Sequence, residues 1–335
     1  MRPAISVVIP NYNNGAYLRE CIESCLTQSL DSIELVIVDD GSKDDSPALI
    51  KRMASEDARV RFHLCENQGA AAARNTGLDS VRGEFVFFLD SDDYVPEKTA
   101  FERLYRSATT NDTKIAGGSM CLDRDGVVDF DSLHGAALDS FPDERVLDYG
   151  EYQYDYDFTR YIYSVDMIRE ERIRFPKLVQ FEDPVFFVRA MLAAGRFSTI
   201  PDAVYAYRYG HQVARRWSEQ MVLDRIAGIS DLLVESRENH LPKLHAHLVG
   251  QLDGEMIGAF LDNAGSCRVV AAMCSANALI DTALLKENDP HFNGDFYLVE
   301  GLRRMSEAYV RGDRLRRSYP GRLLIWLKRR LSDNR

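Results

Sequence analysis

Short, wholly apolar runs alternate with amphipathic ones over the first third of the chain. Residues 5–9 (ISVVI), 35–38 (LVIV), 60–64 (VRFHL) and 85–89 (FVFFL) are brief and rich in branched or aromatic residues. Runs of that kind read as strands, and the wholly apolar ones as strands covered on both faces. Between them, residues 17–26 place Leu18, Ile22, Cys25 and Leu26 at helical spacing. Ser46-Pro47 fits a cap followed by a first helical residue, and 70–81 opens with an alanine run. The β-α-β-α-β-α-β order predicts an α/β fold, a mostly parallel sheet with helices on both faces.

After Asp112 the regularity loosens. Residues 115–121 (IAGGSMC) predict a further strand, 123–150 an acidic, turn-rich excursion. Six tyrosines fall between 149 and 163, suiting either a pocket wall or an aromatic core strand. FEDP (181–184) precedes an amphipathic helix over 185–194, with Asp183 a candidate cap ahead of Pro184. A strand over 200–207 leads to a cationic loop holding Arg208, His211, Gln212, Arg215 and Arg216. Helical periodicity then runs to about residue 285, with Leu223, Ile226, Ile229, Leu232 and Leu233 on one stripe. The expected organisation is an α/β domain over 1–215, its halves meeting at 115/116, and a helical region over 216–335.

Composition sharpens this little. The chain is 45% hydrophobic and 28% charged, as for a globular protein, and its net charge of −11 argues against nucleic acid as a partner. Six scattered cysteines form no CxxC pair, and no stretch reaches the length of a membrane span, so a cytoplasmic location is expected. The tail reverses the charge: residues 303–335 carry eleven Lys/Arg against three Asp/Glu. Within it, RLLIWLKRRL (322–331) mixes bases with Trp and Leu. This make-up suits peripheral contact of 311–335 with an anionic membrane, the alternative being a helix docked on the body.

The candidate chemistry sits after the strands. NYNNG, DDGS, ENQG and DSDD each follow an apolar run, and parallel strands bring such loops to one edge of the sheet. Asp90 and Asp92 suit Mg²⁺ or Mn²⁺, which take one or two carboxylates plus substrate phosphates. Arg74, Arg208 and His211 offer positive charge to a diphosphate. Asp39 and Asp40 offer acceptors to a base or ribose, and Asn67 and Asn75 offer amides.

The ordered segments VVIPNYNNGAYLRECIESCLTQSL, ELVIVDDGSKDDS, NQGAAAARNTGL and GEFVFFLDSDDYVP resemble the family-2 glycosyltransferases of GT-A fold. The resemblance is dense over residues 4–98 and returns at FEDPVFF and the Arg208–His211 loop. It implies inverting transfer of a sugar from a nucleotide-diphosphate donor, a UDP-sugar first among candidates, to an acceptor hydroxyl. By it, Asp39 binds the nucleotide base, and Pro10, Tyr12, Asp40, Asn67, Arg74, Asn75, Asp90, Ser91, Arg208 and His211 surround the donor. Asp92, with Asp90 and His211, holds Mn²⁺ or Mg²⁺, and Asp183 is the general base. The implied acceptor is a glycan or lipid-linked oligosaccharide of bacterial capsule, exopolysaccharide or other cell-surface assembly. QVARRW (212–217) approaches the QxxRW signature of processive synthases with its Trp one place late, so single addition is expected. Two other classes stay open: a metal-dependent phosphatase or phosphotransferase, whose DxD motif the DSDD run echoes, and a non-catalytic nucleotide-sugar-binding protein.

Overall fold

Strand β1 (Ile5–Asn11) lies at the centre of a parallel half-sheet. It pairs with β2 (Ile33–Asp39) on one side and β4 (Phe85–Phe88) on the other, and β3 (Val60–Leu64) pairs outside β2. The computed structural model describes residues 2–124, 126–129, 140–210, 217–252, 256–263 and 265–290. His211, the Gln212–Arg216 stretch and the basic tail lie outside the described residues.

Strand β1 continues two residues beyond the end that Pro10 suggests. The carbonyl of Val8 accepts Leu89 N–H on the β4 side, so Pro10, of the same parity, turns its nitrogen to that side too. Pairing with β4 has stopped at Val8–Phe88, and the missing N–H costs no ladder bond.

The two faces of the half-sheet are covered by different helices. Ile5, Val7 and Ile9 pack with Leu18, Cys21 and Ile22 of α1 (Gly15–Leu26) and with Ile50 and Met53 of α2 (Ser46–Glu56). On this face Phe101 of α4 (Ala100–Thr110) meets Phe87 edge-on at 5.2 Å. Val8 faces the other way, under α3 (Ala70–Ser80). Gly77 permits this close approach: a Cβ there would lie 2.4 Å from Val8 Cγ1. Fully burying one such apolar side chain stabilises the fold by about 1.5–3 kcal/mol.

The second half of the sheet is mixed. It contains β5 (Ile115–Arg124), β6 (Val127–Asp129), β7 (Arg145–Asp148), β8 (Tyr161–Ser164) and β9 (Arg196–Tyr209). The order is β3-β2-β1-β4-β8-β5-β9-β7, with β6 paired to β5. β8 is antiparallel to both β4 and β5, so β5 points the same way as β4, and β9 runs parallel to β5. The end of β9, carrying Arg208, therefore arrives at the edge where β1, β2 and β4 end. Helices α5 (Tyr149–Tyr152), α6 (Val165–Glu170) and α7 (Glu182–Ala194) complete this unit, which spans Met1–Arg216. Tyr149, Tyr161 and Tyr163 are buried, with the hydroxyls of Tyr149 and Tyr163 donating to the carbonyls of Tyr154 and Phe158. These three tyrosines are core residues, not a pocket wall.

The second unit, Trp217–Arg335, is helical throughout its described part. It comprises α8 (Glu219–Glu238), α9 (Pro242–Gly250), α10 (Ile257–Asp262), α11 (Cys267–Asn277) and α12 (Thr282–Asn288). Side chains of Ser218, Ser266 and Asp281 cap α8, α11 and α12. The buried stripe of α8 is Val222, Ile226, Ile229, Leu232 and Leu233; Val222 takes the place expected of Leu223, which is only half-buried.

The packing at Gly77 is directly testable. Gly77→Ala gains about 1 kcal/mol of helix propensity but overpacks against Val8, a cost of about 1–3 kcal/mol or more. At a 2.4 Å approach the clash should prevail. Chemical denaturation is expected to show a net loss, while Gly77→Ala combined with Val8→Ala recovers part of it.

Candidate active site

Loops from three strand ends and the start of α3 enclose a cavity of about 770 Å³, within the range of small-molecule sites. Pro10, Asn11, Tyr12 and Asn14 line it from the end of β1; Asp40 lines it after β2; Asn67, Gly69, Ala70, Ala73 and Arg74 come from the β3–α3 passage. Asp90, Ser91 and Asp92 come from the tip of β4. Eight expected donor-site residues therefore share one wall: Pro10, Tyr12, Asp40, Asn67, Arg74, Asp90, Ser91 and Asp92. Tyr12 is half-exposed on the cavity lining.

The loops are fixed by their own carboxylates. Asp40 accepts the backbone N–H groups of Gln68 and Gly69 at 2.8 and 2.7 Å, shaping the turn into α3. Gly69 has φ +93°, a conformation L side chains rarely adopt. Asp44 accepts Gly15 N–H and Ser46 N–H, tying the starts of α1 and α2 together. Asn14 donates to Ser91 Oγ at 2.9 Å and so links the β1 loop to the β4 tip.

Asp39 is buried behind this wall. Its oxygens accept Asn11 Nδ2 at 2.8 Å and Ser42 N–H at 3.0 Å, so Asn11 is the surface it presents to the cavity. Three other expectations change in meaning. Asn75 does not line the cavity: Nδ2 donates to the carbonyl of Phe175 and Oδ1 accepts its N–H, both faces of the amide being used. Arg74 reaches carboxylates, not an open phosphate site. Nη2 donates to Asp90 Oδ1 at 2.8 Å and Nη1 to Glu182 Oε1 at 3.1 Å, with Cζ over the rings of Phe158 and Phe175. Burial opposes its charge, but Asp90 and Glu182 outweigh burial and hold the proton more tightly than usual.

Arg208 is committed too. Its Nη1 donates to the Asp92 carbonyl at 2.8 Å and Nη2 to Glu20 at 2.8 Å, and its Cζ lies 4.9 and 5.2 Å from the rings of Tyr17 and Tyr94. It braces the tip from below. Asp93, which the motif alone does not distinguish from Asp92, joins the same brace. Asp93 accepts the Tyr205 hydroxyl at 2.5 Å and the Arg208 N–H at 2.7 Å. Burial, then the charges of Asp92 and Asp90, push its carboxyl well above the usual range. The alternation of β9 across its two faces was the available signal, since it puts Tyr205 and Tyr207 on one side.

Asp183 lies in the first turn of α7, not at its cap. The helix begins at Glu182, with Phe181 ahead of it in the left-handed conformation (φ 71°) and Pro184 where a missing N–H is harmless. Removal from water raises the Asp183 carboxyl to about 7; the Glu182 charge adds to this and Arg74 opposes it. Glu182 is paired with Arg74, whereas among the described residues Asp183 forms no ion pair.

Asp90 and Asp92 are hard oxygen donors on the cavity wall and fit Mg²⁺ or Mn²⁺. Among the described residues no group of three or more His, Cys, Asp or Glu gathers to hold an ion alone. An ion there would complete its shell with phosphate oxygens and water, as Mg²⁺ sites with few protein ligands do.

The nine-stranded mixed sheet, with its cavity at the ends of the parallel strands, has the GT-A fold seen in neighbours such as TarS. The family model described as Glycosyl transferase family 2 matches residues 6–165, and this match supports a family-2 glycosyltransferase. It is 32% identical over 214 residues to the uncharacterized glycosyltransferase EpsJ of Bacillus subtilis, covering 62% of each chain. It is 31% identical over 220 residues to the succinoglycan biosynthesis protein ExoO of Rhizobium meliloti, covering 61% of this chain and 60% of that one. The matched region spans about six tenths of the length of such relatives, 62% for EpsJ. Among solved structures, S. aureus TarS 1–349 in complex with UDP-GlcNAc superposes with a TM-score of 0.68 over 93% of both chains. Its identity is 19%, and the likeness is one of fold.

The brace beneath the tip makes a clear expectation. Tyr205→Phe leaves a buried acceptor unpaired and should lower stability by about 1–3 kcal/mol. Asp93→Asn keeps an uncharged acceptor for Arg208 N–H and should be the milder change. Equal thermal melts for wild type and Tyr205→Phe would refute the brace.

Proposed function

We propose that the chain is an inverting glycosyltransferase that moves a sugar from a UDP-sugar to an acceptor hydroxyl in cell-surface polysaccharide assembly. The observation that carries this proposal is the pairing of a carboxylate tip on the cavity wall with a separate carboxylate, Asp183, raised to about 7. A donor site and a base site are what single displacement at an anomeric carbon needs. TarS, which shares the fold, is seen with UDP-GlcNAc and with UDP, and ExoO is named for succinoglycan biosynthesis. These neighbours support the donor class and the polysaccharide setting.

In this proposal Tyr12 stacks on the base, and Asn11, backed by Asp39, hydrogen-bonds its edge. Asp40 and Asn67 shape the ribose side. Asp90 and Asp92 hold Mn²⁺ or Mg²⁺, with His211 added by family resemblance. When bound, the ion neutralises charge on the leaving diphosphate. Asp183 accepts the proton of the acceptor hydroxyl as its oxygen attacks the anomeric carbon, and the bond to the diphosphate oxygen breaks on the opposite face. In this proposal the transferred sugar lies between the tip and the base. Among the described residues no helix is long and apolar enough to cross a membrane by itself, and in this proposal the basic segment 311–335 meets an anionic membrane surface.

UDP release from a panel of UDP-sugars with Mn²⁺ tests the reading. Asp183→Asn and Asp92→Ala should each reduce turnover by about 10²–10⁴-fold, and chelation should abolish it. If neither substitution changes turnover, the site is misassigned. The base must be unprotonated to act, so kcat/KM should rise with pH and level off above about 7, the value to which Asp183 is raised. A profile flat from pH 5 to 8 would exclude it. Removal of 311–335 should shift the protein out of the fraction that sediments with phosphatidylserine vesicles, whereas equal sedimentation would exclude the membrane contact.

A further inference from the structure

We infer that Arg74 is a positioning residue that fixes the donor-side tip against the base-bearing start of α7, an assignment that rests on the glycosyl-transfer proposal. One planar guanidinium spans the two: Nη2 holds Asp90 Oδ1 at 2.8 Å and Nη1 holds Glu182 Oε1 at 3.1 Å. Arg74 is 7% exposed, and the Glu182 side chain 13%. A buried fork of this kind constrains direction as well as charge. Phe158 and Phe175 lie 5.0 and 5.5 Å from Cζ, adding a second constraint on the plane.

The neighbouring residue repeats the connection. Asn75 holds both backbone groups of Phe175, 100 residues along the chain, and the Phe175 ring stacks on Phe186 of α7 at 4.0 Å. Two consecutive residues of α3, a helix of the nucleotide half, thus grip the segment leading into α7 and α7 itself. Phe181 sits between those grips with φ 71°. A bulky residue in the left-handed region persists only where its surroundings over-determine it. Glu182 being held on one side and Phe175 on the other, the first turn of α7 has one orientation, and Asp183 is carried with it.

Charge balance alone would be a different role, and lysine could fill it. Lysine is a single point charge and cannot hold two carboxylates at a set angle. The two roles therefore separate in Arg74→Lys. If Arg74 sets geometry, kcat for UDP release should fall about 100-fold or more, the cost of an ångström-scale misplacement. The KM for the donor and the affinity for UDP with Mn²⁺, read by calorimetry, should stay within about fivefold. In Arg74→Ala, millimolar guanidinium should restore at least tenfold of the lost kcat, and methylammonium should not. Arg74→Lys turnover within about threefold of wild type, or loss of UDP·Mn²⁺ affinity equal to the loss of kcat, would overturn the inference. If the Arg74 variants fail to fold, Glu182→Gln serves instead: a kcat loss of about tenfold at constant KM is expected, and an unchanged kcat would overturn the role. Wild type that turns over no UDP-sugar overturns the functional proposal itself. Active wild type with active Arg74→Lys overturns only this assignment.

Discussion

Like charges cannot be crowded where water is scarce unless something answers them, and this site crowds five carboxyls around two short loops. Asp90, Asp92 and Asp93 share the end of β4, and Glu182 and Asp183 share the start of α7. Each unit charge at contact distance in a partly buried setting is worth several kcal/mol, so an unanswered cluster would push the strand end apart. Asp90, Glu182 and Asp93 are answered by groups of the protein itself. Arg74 takes Asp90 and Glu182, and Asp93 is driven toward its neutral form beneath Tyr205 and Arg208. In the glycosyl-transfer proposal, Asp92 is the carboxyl that serves a bound ion, and Asp183, raised to about 7, the one that serves a proton.

The parallel half was legible because its signals are local. Four short apolar runs, each followed by polar turn residues, specify strand, direction and edge without reference to distant parts of the chain. The mixed half is specified by pairings that no short window displays. β8 slots between β4 and β5, and nothing in YIYS announces its neighbours. The tyrosine cluster was ambiguous for the same reason, since a ring on a pocket wall and a ring in a core have the same letter. Pro10 misled in the other direction. Its parity toward the side where β4 has already ended is a property of the sheet, not of the proline.

The candidate site divides along the same line. Which residues crowd the strand ends was readable, and Pro10, Tyr12, Asp40, Asn67, Arg74, Asp90, Ser91 and Asp92 do meet on one cavity wall. What each polar group is bonded to was not. The partner of Arg74 on α7 is 108 residues away and that of Asn75 is 100 residues away, distances over which a sequence pattern carries no pairing information. The hydrogen bonds that Arg74, Asn75 and Arg208 make to the protein itself are therefore not legible in the motifs that contain them. A cation or an amide near an acidic loop is as well used holding that loop as greeting what enters it.

The clamp from Asn75 touches only the backbone of Phe175. It fixes where the chain emerges, and specifies nothing about the side chains immediately beyond, among which Lys177 and Val179 are exposed. A segment anchored by its root and open at its tip is free to diversify. Substitutions there can reshape the exposed surface without disturbing the hydrogen bonds that hold the Phe175 backbone, so the anchor and the surface can change independently.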